Sequence, residues 1–87
     1  MSEESVIEFP CDFPIKMMGR DTPEFRQTMR SIVEGHVGDV DDTRVQSAVS
    51  RNGSFVSVTI TITATSQQQL DAIYREISAR DDVLMAL

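Results

Sequence analysis

Apolar residues recur at every second position in 13–19, where Phe13, Ile15 and Met17 alternate with Pro14, Lys16 and Met18 until Gly19 stops the run. That period predicts a first strand. From Phe25 the spacing changes. Phe25, Met29, Ile32 and Val33 recur at helical intervals and give one apolar stripe. Thr22 is placed to cap this helix, and Pro23 sits at the first helical position, where a missing N–H costs nothing. Gly35 and Gly38 mark its expected end, with His36 in the last turn. An acidic loop, 39–42, leads to a second strand over 43–50.

Asn52-Gly53 then predicts a tight type I′ hairpin, because both residue types tolerate positive φ. Such a turn pairs Arg51 with Ser54. Counting outward, Val49 meets Val56, Ser47 meets Val58 and Val45 meets Ile60, all on one face. The third strand, 54–64, carries Val56, Val58, Ile60, Ile62 and Ala64 on that face and Ser57, Thr59, Thr61 and Thr63 on the other. Ser66 and Gln69 form a capping-box pair ahead of a second helix with Leu70, Ile73, Tyr74 and Ile77 as its stripe. Asp81-Asp82 breaks the helix, and 83–87 reads as a fourth strand. The expected core joins these apolar faces and includes Ile32 and Val45.

The order is β-α-β-β-α-β, whose compact solution is the ferredoxin-like split βαβ sandwich of the α+β class. Both crossovers are right-handed only if a strand lies between each parallel pair, which predicts an antiparallel sheet of order 4-1-3-2 with two helices on one face. Residues 1–12 read as a flexible leader, polar and without a pattern to dock over 1–8, and 13–87 as a single domain.

Charge narrows the function. Fourteen acids against eight bases give a net charge of −6, which argues against unaided binding to nucleic acid or an anionic membrane. The single cysteine, Cys11, excludes an internal disulfide framework and a CxxC motif. An acidic start without a signal-peptide pattern and the lack of a long apolar run make the cytoplasm the expected compartment. No cofactor or metal is expected. Asp39, Asp41 and Asp42 lack the spacing of a calcium loop. His36, the one histidine, is placed where its cation suits a helix C-terminus.

Gly19-Arg20-Asp21-Thr22-Pro23-Glu24-Phe25 resembles the strand-to-helix turn of ACT-type regulatory domains. There, the resemblance implies, this turn helps hold an amino-acid ligand, which makes Gly19, Arg20, Asp21 and Thr22 candidate ligand-binding residues. Glu24 departs from the ACT pattern, which commonly has glycine after the proline, and its carboxylate would repel an anion. Residues 51–58 echo the RNP1 motif of RNA-recognition domains, but Gly53 and Val58 stand where stacking aromatics belong. The phosphate-binding turn of acylphosphatases, which use the same fold, is not matched, since Arg26 falls inside the helix.

Across the chain, Glu8-Phe9-Pro10, Phe13, Lys16-Met17-Met18-Gly19, the run 53–60 and Val83-Leu84-Met85 resemble the YbeD-like family of small uncharacterised bacterial proteins. The resemblance implies a ferredoxin-like, ACT-like fold and a cytoplasmic location, and carries no activity or site residues. The expected function is therefore non-enzymatic: a regulatory or adaptor domain that binds a protein partner or a small metabolite. A small enzyme using His36 and an RNA-binding sheet are the alternatives. The open sheet face should show Lys16, Met18, Arg44, Gln46, Ala48, Ser57, Thr59 and Thr61. Thr59 and Thr61 on that face, and Met85 on the uncharged fourth strand, are the candidate interface residues, with a homodimer as one outcome.

Overall fold

The computed structural model describes residues 7–87. Four strands and two helices follow the expected order: β1 (Cys11–Arg20), α1 (Pro23–Val37), β2 (Val45–Val49), β3 (Phe55–Ala64), α2 (Gln67–Ser78) and β4 (Val83–Ala86). The sheet runs β2-β3-β1-β4, all neighbours antiparallel. This is the predicted order, 4-1-3-2, read from the other edge.

β1 and β3 are the long central pair, in unbroken register from Cys11 opposite Ala64 to Arg20 opposite Phe55. The strand begins two residues earlier than its alternation suggested. Cys11 and Asp12 belong to the ladder, and Phe9 packs against the core, so the expected leader is shorter than 1–12. Residues 1–6, which make up most of the segment 1–8 expected to be mobile, lie outside the described residues.

Helix boundaries follow the caps. The Thr22 hydroxyl accepts the Phe25 N–H at 3.0 Å, and Ser66 does the same for Gln69 at 3.0 Å. The reciprocal arm of the second cap differs from a standard capping box: the Gln69 amide oxygen accepts from Thr65 N–H at 2.8 Å. Gly35 lies inside α1, and Gly38, at φ 85°, ends it.

The β2–β3 register is the expected one: Val49, Ser47 and Val45 face Val56, Val58 and Ile60. The turn is not. Ser50 N–H donates to Phe55 C=O at 2.8 Å and Gly53 N–H to Ser50 C=O at 2.9 Å, so four residues form the loop, with Arg51-Asn52 at the turn centre and Gly53 after it at φ 77°. The Asn52 side chain accepts from Ser54 N–H and the Ser50 hydroxyl instead of sitting in a two-residue turn. Lengthening the loop by one residue on each side preserves the parity of the pairing, which is why the register survives.

The core is a single cluster between the sheet and both helices. Phe25, Met29 and Val33 from α1 and Leu70, Ile73 and Ile77 from α2 meet Ile15, Met17 and the even-numbered residues of β3. Ile32 and Val45, expected in the core, are only half-buried at its margin, whereas Val40 from the loop after α1 is buried. Among the described residues no polar or charged side chain is buried.

Candidate functional site

The β1–α1 turn is the first place to look, and its polar groups are largely engaged within the molecule. Asp21 N–H donates to the Ser54 carbonyl at 3.1 Å and Thr22 N–H to the Arg20 carbonyl at 3.0 Å. The Thr22 hydroxyl caps the helix. The Asp21 carboxylate pairs with Arg26 at 2.8 Å, and the Arg20 guanidinium lies over the Phe55 ring, 5.8 Å from its centroid. A Cβ on Gly19 would fall 2.6 Å from both the Asp82 carbonyl oxygen and Phe25 Cζ. The glycine thus lets β1 pass close to α1 and the α2–β4 turn, a packing requirement satisfied inside the fold. A cavity of about 190 Å³ adjoins the turn, walled by Arg20, Thr22, Phe25, Leu84 and the carboxylate-bearing Asp81 and Asp82. Asp82 is held below the usual carboxylate range by its hydrogen bonds from Arg80, so anionic charge lines one side.

His36 bridges the two helices, its Nε2 2.8 Å from Glu76 Oε1. Glu76 borders a shallow groove with Glu24, Gln27, Thr28, Ser31 and Ile32, and His36 is not among the residues lining it. The pair ties α1 to α2 at the surface without facing an enclosed space. Beside the acidic loop, Glu34 of α1 takes the Val40 N–H at 2.9 Å and the Arg30 guanidinium at 3.2 Å, which hold its carboxyl below the usual range. Arg30 also reaches Asp42 at 2.6 Å and the Val40 carbonyl. Asp41 folds back on Thr43 N–H and hydroxyl, both at 2.9 Å, which lower it likewise. These carboxylates brace the loop. Among the described residues no group of three or more His, Cys, Asp and Glu converges as metal ligands would. Cys11 is free and half-buried at the start of β1.

The open sheet face differs in character. Strand alternation places Lys16 and Met18 of β1, Gln46 and Ala48 of β2, and Ser57, Thr59 and Thr61 of β3 together on the side away from the helices. Met85 joins them by pairing with Met18. Leu87 extends the same edge, exchanging backbone hydrogen bonds with Lys16 at 3.1 and 2.8 Å. A depression of about 200 Å³ runs over Lys16, Gln46, Ala48, Ser57 and Thr59. At its β4 side the face is apolar: Met85 and Leu87 are 50% and 63% exposed, and Leu84, the extra residue at the irregularity in the β1–β4 ladder, is 60% exposed beside the turn cavity. Among the described residues β4 pairs with β1 alone, and its outer edge has no strand neighbour there.

The structure thus brings Thr59, Thr61 and Met85 onto one surface, and sets Gly19–Thr22 apart from it except for Arg20. Sequence reasoning missed Phe55 and Leu87 on this face. Phe55 was legible, since the odd positions of β3 point away from the core and Phe55 is the first of them. Leu87 emerges only from its pairing with Lys16.

The comparisons with known proteins bear on family and fold. A family profile described as protein of unknown function (DUF493) matches residues 4–87. The UPF0250 protein of Nitrosomonas europaea is 48% identical over 87 residues, the whole of both chains. That of Paraburkholderia phytofirmans is 44% identical, covering 97% of this chain and 94% of its own. The solution structure of protein HP0495 from H. pylori superposes with a TM-score of 0.73 at 19% identity, covering 99% of this chain and 90% of that one, which supports the ferredoxin-like fold. No helix among the described residues is long and apolar enough to cross a membrane. The chain belongs to the DUF493 family, whose curated bacterial relatives are the UPF0250, YbeD-like proteins that its motifs resemble.

Proposed function

We propose that this protein is a non-enzymatic adaptor that docks a protein partner on its open sheet face and the adjoining β4 edge. One observation carries the reading: three large apolar side chains, Leu84 and Met85 of β4 and Leu87 just after it, stand at least half exposed beside a strand edge that is unpaired among the described residues. An unpaired edge offers backbone donors and acceptors to another chain, and exposed apolar residues beside it add a hydrophobic anchor. β4 carries no charged side chain to discourage such pairing.

The metabolite-sensor form of the reading has less support. The polar groups of Gly19–Thr22 serve the turn itself, and the adjoining cavity is partly walled by Asp81 and Asp82, which disfavour an anionic ligand. The enzyme form would need His36 to face a substrate space, and His36 faces Glu76 instead.

Affinity capture from a native bacterial lysate, run in parallel with the wild type and Met85→Lys, tests the reading. A protein recovered by the wild type and lost with the variant is the expected result. Equal recovery with both, or recovery of a small metabolite and no protein, would count against it.

A further inference from the structure

The open face carries a charge pattern opposite to that of the whole molecule. The protein has a net charge of −6. On this face the ladder places two cations of β1, Lys16 and Arg20, and one acid, Asp12, which pairs with Arg44 ahead of β2 at 3.3 Å. Lys16 and Arg20 are exposed and have no ion-pair partner among the described residues. Most other acids lie on the helices and the loops after them, where Glu24, Asp39, Asp71 and Glu76 are exposed; Asp81 and Asp82 border the cavity beside Arg20, and Asp82 is engaged there by Arg80.

Spacing adds a second constraint. Lys16, Met18 and Arg20 are alternate residues of one strand, so their side chains leave the same face. The two cations stand about 13 Å apart along β1, at about 3.3 Å per residue, with the thioether of Met18 between them. Met85 and Leu87 flank that thioether from β4. A second extended chain has the same repeat, so positions i, i+2 and i+4 of such a chain match cation, apolar group and cation in register. A helix would need about nine residues to span that distance and would not present the intervening apolar group at the same interval.

We propose, building on the docking role above, that the occupant of this face is an extended acidic segment of another protein with the pattern acid–x–apolar–x–acid. Its carboxylates sit over Lys16 and Arg20, and its central apolar side chain packs among Met18, Met85 and Leu87. A second copy laid symmetrically on the same face would set Lys16 and Arg20 against Lys16 and Arg20, which opposes isologous face-to-face pairing. A polyanionic nucleic acid would satisfy the cations but not the exposed methionine and leucine side chains, and Phe55, beneath Arg20, is the one aromatic ring that the ladder places on the face.

The test uses the full chain, isotope-labelled, and the blocked peptide Ser-Glu-Thr-Leu-Thr-Glu-Ser, with versions bearing Gln or Lys in place of Glu and an oligouridylate as a fourth probe. The expected result is saturable movement of the Lys16, Met18, Arg20 and Met85 amide signals with the Glu peptide. The Gln peptide should bind at least tenfold more weakly, the Lys peptide and the RNA should give no movement, and added salt should weaken the Glu peptide. With Lys16→Glu/Arg20→Glu the preference should reverse to the Lys peptide, a gain that an unfolded variant cannot produce. Equal binding of the Glu, Gln and Lys peptides at these residues would overturn the acidic partner while keeping the face as a docking surface. Tighter binding of the RNA, or movement with none of the peptides, would also overturn the proposal, and the lysate comparison with Met85→Lys reports on the docking role separately.

Discussion

Substituting Gly19 by alanine is the sharpest perturbation of the β1–α1 turn. The added methyl carbon would lie 2.6 Å from the Asp82 carbonyl oxygen and 2.6 Å from Phe25 Cζ. Ordinary carbon contacts are about 3.5–4.0 Å, so the neighbours must retreat by about 1 Å. Neither can do so freely. Asp82 contributes backbone, and the Phe25 ring is 2% exposed within the core cluster. Overpacking of this kind costs about 1–3 kcal/mol. For a domain of this size each kcal/mol is worth about 4–8 °C in melting temperature, so the expected fall is about 4–24 °C. Thermal and urea unfolding followed by circular dichroism would measure it. A companion substitution, Phe25→Leu, removes the ring from the collision and leaves the carbonyl. Its cost should therefore be smaller in the Gly19→Ala background than in the wild type, by about 0.5–3 kcal/mol of coupling. An unchanged midpoint for Gly19→Ala would refute the reasoning. It would mean that the turn has slack and that the glycine is kept for a purpose outside the fold, such as close approach of a ligand.

Three further outcomes follow from the same geometry. Ile60→Ala, at a fully buried position in the central strand, should lose about 2–5 kcal/mol by denaturant unfolding, and an unchanged midpoint would show the β3 faces to be assigned backwards. Titration with free amino acids at millimolar concentration should leave the amide signals of Gly19–Glu24 in place, since those groups are internally engaged; saturable shifts there would restore the turn as a ligand site. The Glu34 carboxyl is held low by the Val40 N–H and then by Arg30, so its stabilising contribution is present above the unfolded glutamate value of about 4.3 and fades as pH falls through its lower folded value. The stability gap between wild type and Glu34→Gln should therefore narrow on acidification below that pH, and a gap that widens would contradict the bracing role.

Much of the fold was legible because several local signals agreed. The alternation of 56–64, the caps at Thr22 and Ser66 and the parity of the β2–β3 hairpin all point to one sheet order, and the structure has that order. The hairpin turn escaped because Asn52 uses its side chain to bind Ser54 N–H and Ser50, a local hydrogen bond that competes with the tight-turn conformation. The start of β1 was missed because Pro14 and Pro10 masked a pairing that Cys11 and Asp12 take from β3. Ile32 and Val45 looked like core residues by spacing alone; each sits at the rim, where a period says nothing about how far the covering elements extend. The role of Gly19 needed three elements in place, since the atoms it avoids belong to α1 and to the α2–β4 turn. The proposed docking face was half visible: Thr59, Thr61 and Met85 could be placed by alternation, but the apolar cluster of Met18, Met85 and Leu87 exists only through the β1–β4 pairing.

The central claim, that the open sheet face is where this protein meets its partner, is tested most directly by site-specific photocrosslinking in living bacteria. A benzophenone side chain would be placed in turn at Thr59, at Met85 and, as the control on the helical side, at Gln27, which is exposed on α1. The account predicts a discrete adduct of higher mass from Thr59 and Met85, containing a different protein, and none from Gln27. Adducts from Gln27 alone, or adducts from the sheet positions whose mass is twice that of the chain itself, would contradict it.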